Sequence, residues 1–116
     1  MMRAVRIDDP DTFLAEIGEK AVRAGGAAPD ERERALIERP STGVRVGAWE
    51  AGAYEEAYES YPVDEFMVLI EGTVALDYPD GASQVFGPGA AFLLPKGFRG
   101  VWRQEERVVK YFTIVP

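Results

Sequence analysis

The stretch Gly52-x5-Tyr58-x-Ser60-x4-Glu65-x6-Gly72, followed by Gly89-x5-Pro95-x-Gly97-x2-Gly100-x3-Gln104, decides the fold of this chain. Glycine and proline recur in it between short apolar runs, most clearly at Gly72, Gly89 and Gly97. Glycine at such positions supplies the positive φ that tight turns require, because it has no Cβ to clash with the backbone. The stretch therefore predicts short β-strands joined by tight turns.

Strands are predicted from residue 44 onward. Apolar and β-branched runs alternate there with turn residues, and Pro79-Asp80-Gly81 between two of the runs is typical of a hairpin. About six to eight short strands at this spacing indicate an all-β antiparallel sandwich or barrel rather than alternating strands and helices. The predicted strands are Val44–Trp49, Phe66–Ile70, Val74–Tyr78, Ser83–Phe86, Ala91–Leu94, Arg99–Arg103 and Arg107–Val115.

Residues 1–40 have a different pattern. Asp9 can cap a helix and Pro10 suits its first turn, and Gly25-Gly26 would end it. The charged residues 27–40 are interpreted as a linker, which could include one helical turn. We therefore expect an N-terminal helix and charged arm (residues 1–40) that covers a sheet or a neighbouring subunit, and a β-barrel domain (residues 41–116). The apolar stripe of the predicted helix is Phe13, Leu14, Ile17, Ala21 and Val22.

The composition narrows the class of partner. The formal charge of −7 disfavours nucleic-acid backbones and anionic membrane surfaces, since both repel an acidic protein. No apolar run approaches the ~20 residues that span a bilayer, and no secretory signal follows the first arginines. With no cysteine there is no disulfide and no thiolate chemistry. A cytoplasmic protein is expected, with a small molecule as its partner.

Several phrases carry a resemblance to a known family. They are Trp49-Glu50-Ala51-Gly52, Asp64-Glu65 running to Leu69-Ile70-Glu71-Gly72, Asp80-Gly81, Pro95-Lys96-Gly97-Phe98 leading to Trp102, and Val109-Lys110-Tyr111. With the two spaced motifs, they make residues 44–115 resemble the cupins related to (S)-ureidoglycine aminohydrolase and the ethanolamine-utilisation cupin. The resemblance implies an RmlC-like cupin fold, which is a small β-barrel of two antiparallel sheets, and a homodimer.

The resemblance also bears on metal binding. In metal-binding cupins, the positions that match Tyr58, Ser60 and Gly100 are histidines, and the position that matches Glu65 is a metal-binding glutamate. This chain has no histidine and no cysteine, the donors on which zinc, nickel, copper and non-haem iron sites depend. An all-oxygen magnesium or manganese site from Glu65 and Gln104 would have only one carboxylate. We therefore expect neither a metal nor another cofactor.

Strand alternation predicts the contents of the barrel. Tyr58 and Ser60 would point inward together. Glu65 would then lie among aromatic and apolar groups, where burial raises the pKa of a carboxyl by up to ~3–5 units unless a cation offsets it. Lys110, on the last strand, is the candidate cation, and Gly100 would leave room at the floor of the pocket. The other inward sets are Glu65 with Met67 and Leu69, and Gly100 with Trp102 and Gln104.

Two functions are compatible with this pocket. In the first, the protein binds a small polar metabolite and could act as a lyase or hydrolase on a small nitrogen-containing or carboxylate substrate, with Glu65 as general base and Tyr58 as proton donor. In the second, it is a non-catalytic binding or assembly module whose barrel its own side chains fill, and Glu65 forms a buried pair with a lysine or a tyrosine that only organises the barrel. Arg99 would attract a carboxylate at the barrel mouth, whereas Tyr111 could lie on the opposite face. The candidate catalytic residues are Glu65, Tyr58 and Lys110, and the candidate ligand-binding residues are Ser60, Trp49, Met67, Arg99, Trp102, Gln104 and Tyr111.

Overall fold

The structure of the chain, a computed structural model, describes residues 3–4, 6–9, 14 and 28–116. Among these residues, nine strands form two antiparallel sheets, of order β1-β2-β9-β4-β7 and β3-β8-β5-β6. The all-β antiparallel sandwich predicted from the sequence is confirmed. The strands are β1 (Arg32–Arg39), β2 (Val44–Ala51), β3 (Tyr54–Tyr58), β4 (Asp64–Glu71), β5 (Val74–Asp77), β6 (Ser83–Phe86), β7 (Ala91–Leu94), β8 (Gly100–Gln104) and β9 (Val108–Val115).

The main core lies between the two sheets and follows strand alternation. Along β4, Glu65, Met67 and Leu69 are buried, whereas Phe66 between them is 49% exposed. Successive side chains of a strand point to opposite faces, so one face of β4 forms the core and the other does not. β8 buries Gly100, Trp102 and Gln104 in the same way. Both inward sets expected on these strands are therefore present.

The tight turns are built as their sequence predicts. At the Pro79-Asp80-Gly81 turn, the amide of Tyr78 donates to the carbonyl of Ala82 at 2.9 Å, and β5 pairs with β6 as a hairpin. The predicted positive φ is present at Gly72, Gly89 and Gly97, at 84°, 87° and 89°. Gly72 has a second reason to be glycine, because a Cβ there would lie 2.2 Å from the carbonyl oxygen of Arg107.

The interpretation of residues 27–40 as a linker is wrong, because β1 lies within them. β1 pairs along its length with β2, with a register shift between Ala35 and Ile37. Charged residues of β1 pair across the ladder with β2, as in the ion pair of Arg32 with the directly opposite Glu50. Charges of opposite sign on paired strands stabilise an edge strand, and this edge strand has the composition of a solvated loop.

The predicted N-terminal helix lies outside the described residues, except for Leu14. Leu14 is fully buried and packs with Ala48 and Val109 in a second apolar cluster. Ala48 neighbours the inward Trp49 on β2, so this cluster lies on the outer face of the five-stranded sheet. The hydroxyl of Tyr111 on the same face donates to the carbonyl of Ile7. In the part of the chain that the structure describes, no helix is long and apolar enough to span a bilayer.

Candidate functional site

A buried ion pair lies between neighbouring strands of the five-stranded sheet. Nζ of Lys110 on β9 lies 2.7 Å from Oε2 of Glu65 on β4, and the two side chains are 8% and 5% exposed. Lys110 stands opposite Leu69 in the ladder, while Glu65 stands opposite Ile114. The lysine side chain therefore runs along β4 to reach the carboxylate, and Nζ lies 3.8 Å from Sδ of Met67 on the way. The structure thus places the expected cation against Glu65.

Two indole rings enclose the same ammonium. Nζ of Lys110 lies 4.7 Å from the ring centre of Trp49 and 4.8 Å from that of Trp102. Trp49 is directly opposite Lys110 on β2, and Trp102 comes from β8 in the other sheet. An ammonium over an aromatic face is attracted to the negative face of the ring, most strongly where water is excluded. Both sheets therefore contribute to holding this cation.

Tyr61, which was not predicted from the sequence, extends the ion pair into a hydrogen-bonded row of three side chains, Tyr61–Glu65–Lys110. The hydroxyl of Tyr61 donates to Oε1 of Glu65 at 2.7 Å. The backbone of Tyr61 is fixed by hydrogen bonds with Phe98 and Gly97, both at 2.8 Å. Tyr61 lies in the bend between β3 and β4, outside the spaced positions of either motif. An aromatic residue only four positions before Glu65 in the sequence was the one signal that could have suggested Tyr61 as a neighbour of this carboxylate.

The ion pair forms part of the lining of a cavity between the sheets. The cavity contains about 20 Å³ of free space, which is room for about one water molecule. Its lining is mainly aromatic, with the two carboxylates of Glu33 and Glu65 and the ammonium of Lys110. We call this cavity and its lining residues the cup: Glu33, Trp49, Tyr54, Tyr58, Tyr61, Glu65, Trp102, Lys110, Phe112 and Ile114.

Tyr58 and Ser60, predicted to point inward together, lie in different surroundings. Tyr58 lines the cup, but its hydroxyl donates to Oε2 of Glu56 at 2.5 Å and its ring meets that of Tyr61 edge-on. The prediction that Ser60 points inward is wrong, because β3 ends at Tyr58 and Ser60 is exposed. Alternation holds only while the backbone stays extended, and the bend after Tyr58 breaks it.

Gln104 and Met67 are inside the sandwich, as predicted, and their contacts are with groups of the protein itself. Nε2 of Gln104 donates to the carbonyls of Ala51 and Gly52 at 3.1 and 2.9 Å. Its Oε1 accepts a hydrogen bond from Nε1 of Trp102 at 2.9 Å. The amide therefore braces Trp102 and the end of β2. Met67 is fully buried, and its sulfur contacts the ammonium of Lys110.

Arg99 and Tyr111, both expected among the ligand-binding residues, lie outside the lining of the cup. Arg99 is exposed, and its Nε lies 3.5 Å from a carboxylate oxygen of Glu59. Tyr111 follows Lys110 on β9 and therefore points to the outer face. Burial, together with the carboxylates of Asp8 and Asp9, raises the pKa of Tyr111 above its ordinary value of 10.0.

The residues at the family's metal positions do not fit a metal ion. Gly100 leaves no room, because a Cβ there would lie 2.5 Å from the carbonyl oxygen of Asp77 and 2.8 Å from the ring of Phe98. The expectation of free space at the pocket floor is therefore wrong. Ser60 is exposed, and Glu65 already binds Lys110. Within the described residues, no group of three or more histidine, cysteine, aspartate or glutamate side chains could hold a metal.

Two antiparallel sheets that enclose a polar cup are the architecture of a cupin. The comparison with protein families agrees, since the model of the EutQ-like cupin domain matches residues 39–112. The chain belongs to this family.

Solved structures have a similar fold. The fold is similar to that of a protein of unknown function of the DUF861 family from Pseudomonas syringae pv. tomato, at 27% identity and a TM-score of 0.68, over 73% of this chain and 36% of that protein. The chain thus spans about a third of the length of that protein. A protein of unknown function from Rhizobium leguminosarum is 20% identical with a TM-score of 0.64, over 100% of this chain and 98% of that protein.

The EutQ protein of Clostridium difficile is 17% identical, with a TM-score of 0.61, over 74% of this chain and 68% of that protein. At these lower identities the likeness concerns the fold. No curated protein matches the chain.

Proposed function

We propose that the protein binds a small polar metabolite in the cup without using a metal ion. The observation that carries this proposal is the hydrogen-bonded row Tyr61–Glu65–Lys110 in the lining of an aromatic cavity. A buried ion pair is weak evidence of a stabilising role, because a well-packed apolar pair is often as stable or more so. A few polar groups that converge in an aromatic cavity are instead typical of a ligand site.

The enzymatic form of this proposal is a lyase or hydrolase reaction on a small nitrogen-containing or carboxylate substrate, as the resemblance to (S)-ureidoglycine aminohydrolase suggests. Glu65 would take a proton from the substrate. The phenol of Tyr61, 2.7 Å from Glu65, is a further candidate beside Tyr58 to supply one. Both oxygens of Glu65 are held in position for this role, Oε1 by the phenol of Tyr61 and Oε2 by the ammonium of Lys110.

One observation favours the second candidate function, a binding or assembly module with a filled barrel. The cup holds only about 20 Å³ of free space. Any ligand larger than a water molecule must therefore move a lining side chain. If no ligand does so, the row around Glu65 acts only to organise the barrel.

Thermal unfolding with a panel of amines, amino acids, carboxylates and polyols separates the two functions. A ligand at 100 times its dissociation constant should add ~2.7 kcal/mol to the free energy of unfolding. The gain should disappear in Glu65→Gln and persist in Glu59→Gln, because the side chain of Glu59 is 93% exposed. Stability unchanged by every member of the panel would favour the filled barrel.

A further inference from the structure

We infer that the cup is an ammonium site, that its ligand is a small primary alkylammonium ion, and that Lys110 is the intramolecular occupant which this ligand displaces. The inference rests on the proposed function, because it names the class of small molecule that the same cup would bind. It depends on the groups that touch the lysine ammonium. We call these groups the ammonium cage: Trp49, Trp102, Glu65 and Met67.

The cage has the parts that an organic cation requires. The indole faces of Trp49 and Trp102 lie 4.7 and 4.8 Å from Nζ of Lys110, and the carboxylate of Glu65 lies 2.7 Å away. Aromatic cages bind ammonium groups over their ring faces, and a carboxylate beside them accepts a charge-assisted hydrogen bond from a primary ammonium. Every one of these contacts is to the ammonium itself, so a free alkylammonium ion could make the same ones.

The charges around the cup also select a cation. Its lining contains two carboxylates, of which Glu33 is paired with Arg45 and Glu65 with Lys110. The whole chain carries a formal charge of −7. A cation that takes the place of Lys110 restores the charge balance with Glu65, whereas an anionic ligand would face this carboxylate and the negative faces of the aromatic rings.

The lack of free space explains why the ligand must displace Lys110. About 20 Å³ holds a water molecule but not an alkylammonium ion beside the lysine. The ligand can enter only if the lysine side chain leaves the cage. Because Lys110 is tethered to β9, it competes at a high effective concentration, and the wild-type protein should bind amines weakly.

A substitution that empties the cage tests this directly. Lys110→Ala removes three methylene groups and the ammonium, a shape that n-propylammonium reproduces. Isothermal titration calorimetry would compare n-propylammonium, n-propanol and propionate on the wild type, on Lys110→Ala and on Lys110→Ala/Glu65→Gln. We expect Lys110→Ala to bind n-propylammonium at least about tenfold more tightly than the wild type does, and about tenfold more tightly than n-propanol. The double variant should lose this preference for the amine.

The wild type should show the same order of preference at higher concentrations of ligand. A Lys110→Ala protein without preference for the amine over the alcohol would overturn the inference, as would a wild type that binds no amine. A polyol or carboxylate that binds the wild type through Glu65 would then leave the proposed binding function intact. If Lys110→Ala does not fold alone, refolding in n-propylammonium but not in n-propanol supports the cage, and refolding in neither overturns it.

Discussion

Lys110 and Glu65 form a buried ion pair of 2.7 Å across two neighbouring strands, and the indole ring of Trp102 from the opposite sheet covers the ammonium. The pair therefore links three strands and both sheets at one point. Because both groups are buried, removal of one would leave the other charged without its counter-charge, which would lower the free energy of unfolding.

Removing one partner should cost far more than removing both. Lys110→Met and Glu65→Leu each leave one buried charge unpaired, which costs about 3–5 kcal/mol of unfolding free energy. The double variant should be more stable than either single variant, because it replaces the pair with apolar side chains. Urea unfolding followed by circular dichroism measures all three values. Costs that simply add would show that the two groups are not coupled.

The phenols of Tyr61 and Tyr58 form a matched pair for testing the row. Tyr61→Phe removes the hydrogen bond to the buried carboxylate of Glu65 and should cost about 1.5–3 kcal/mol. Tyr58→Phe removes a bond to the partly exposed Glu56 and should cost less than about 1 kcal/mol. Urea unfolding of both variants would decide. If the two variants lose the same free energy of unfolding, the hydrogen bond to Glu65 contributes no more to stability than the one to Glu56.

Gln104 should prove to be a structural residue. Gln104→Leu leaves the carbonyls of Ala51 and Gly52 and the indole N–H of Trp102 without their amide partner. Each buried group left unsatisfied costs about 1–3 kcal/mol, so the midpoint of thermal unfolding should fall clearly. Gln84→Leu on the exposed β6 is the control and should change the midpoint little. A small loss at Gln104 would contradict the bracing role.

Raising the pH above 10 should lower the free energy of unfolding through Tyr111, on the outer face of the five-stranded sheet. Its folded pKa is raised above 10.0, first by burial and then by Asp8 and Asp9. The folded state therefore holds this proton more tightly than the unfolded state. Its contribution to stability is complete below the unfolded pKa and is lost as the pH rises through the folded pKa. The free energy of unfolding should fall above pH 10 more steeply in the wild type than in Tyr111→Phe. Parallel profiles would contradict the assignment.

Turn chemistry explains why most of the fold could be predicted. Each glycine with a predicted positive φ ends a short apolar run, so the local sequence fixes both the strands and their turns. β1 and β3 were missed for a common reason. Both are rich in charged residues, which form a strand only because neighbouring strands supply the hydrogen bonds and counter-charges.

The candidate site, like the fold, could be predicted from the sequence only in part. Lys110 and Glu65 could be paired from the sequence because alternation along regular strands turns both inward. Tyr61 and Ser60 could not be placed, since they lie in the bend between β3 and β4, where alternation fails. The closed floor at Gly100 depends on the ring of Phe98 and a carbonyl of β5, which are contacts without any local signal.

The two indole rings around Lys110 also give this protein an optical readout. The chain contains two tryptophans, and both lie against the same ammonium. All indole fluorescence therefore originates beside this one positive charge, and the emission colour of an indole responds to a charge near its ring. A molecule that moves the lysine should shift the spectrum without any label, so occupancy could be followed in real time in the unmodified protein.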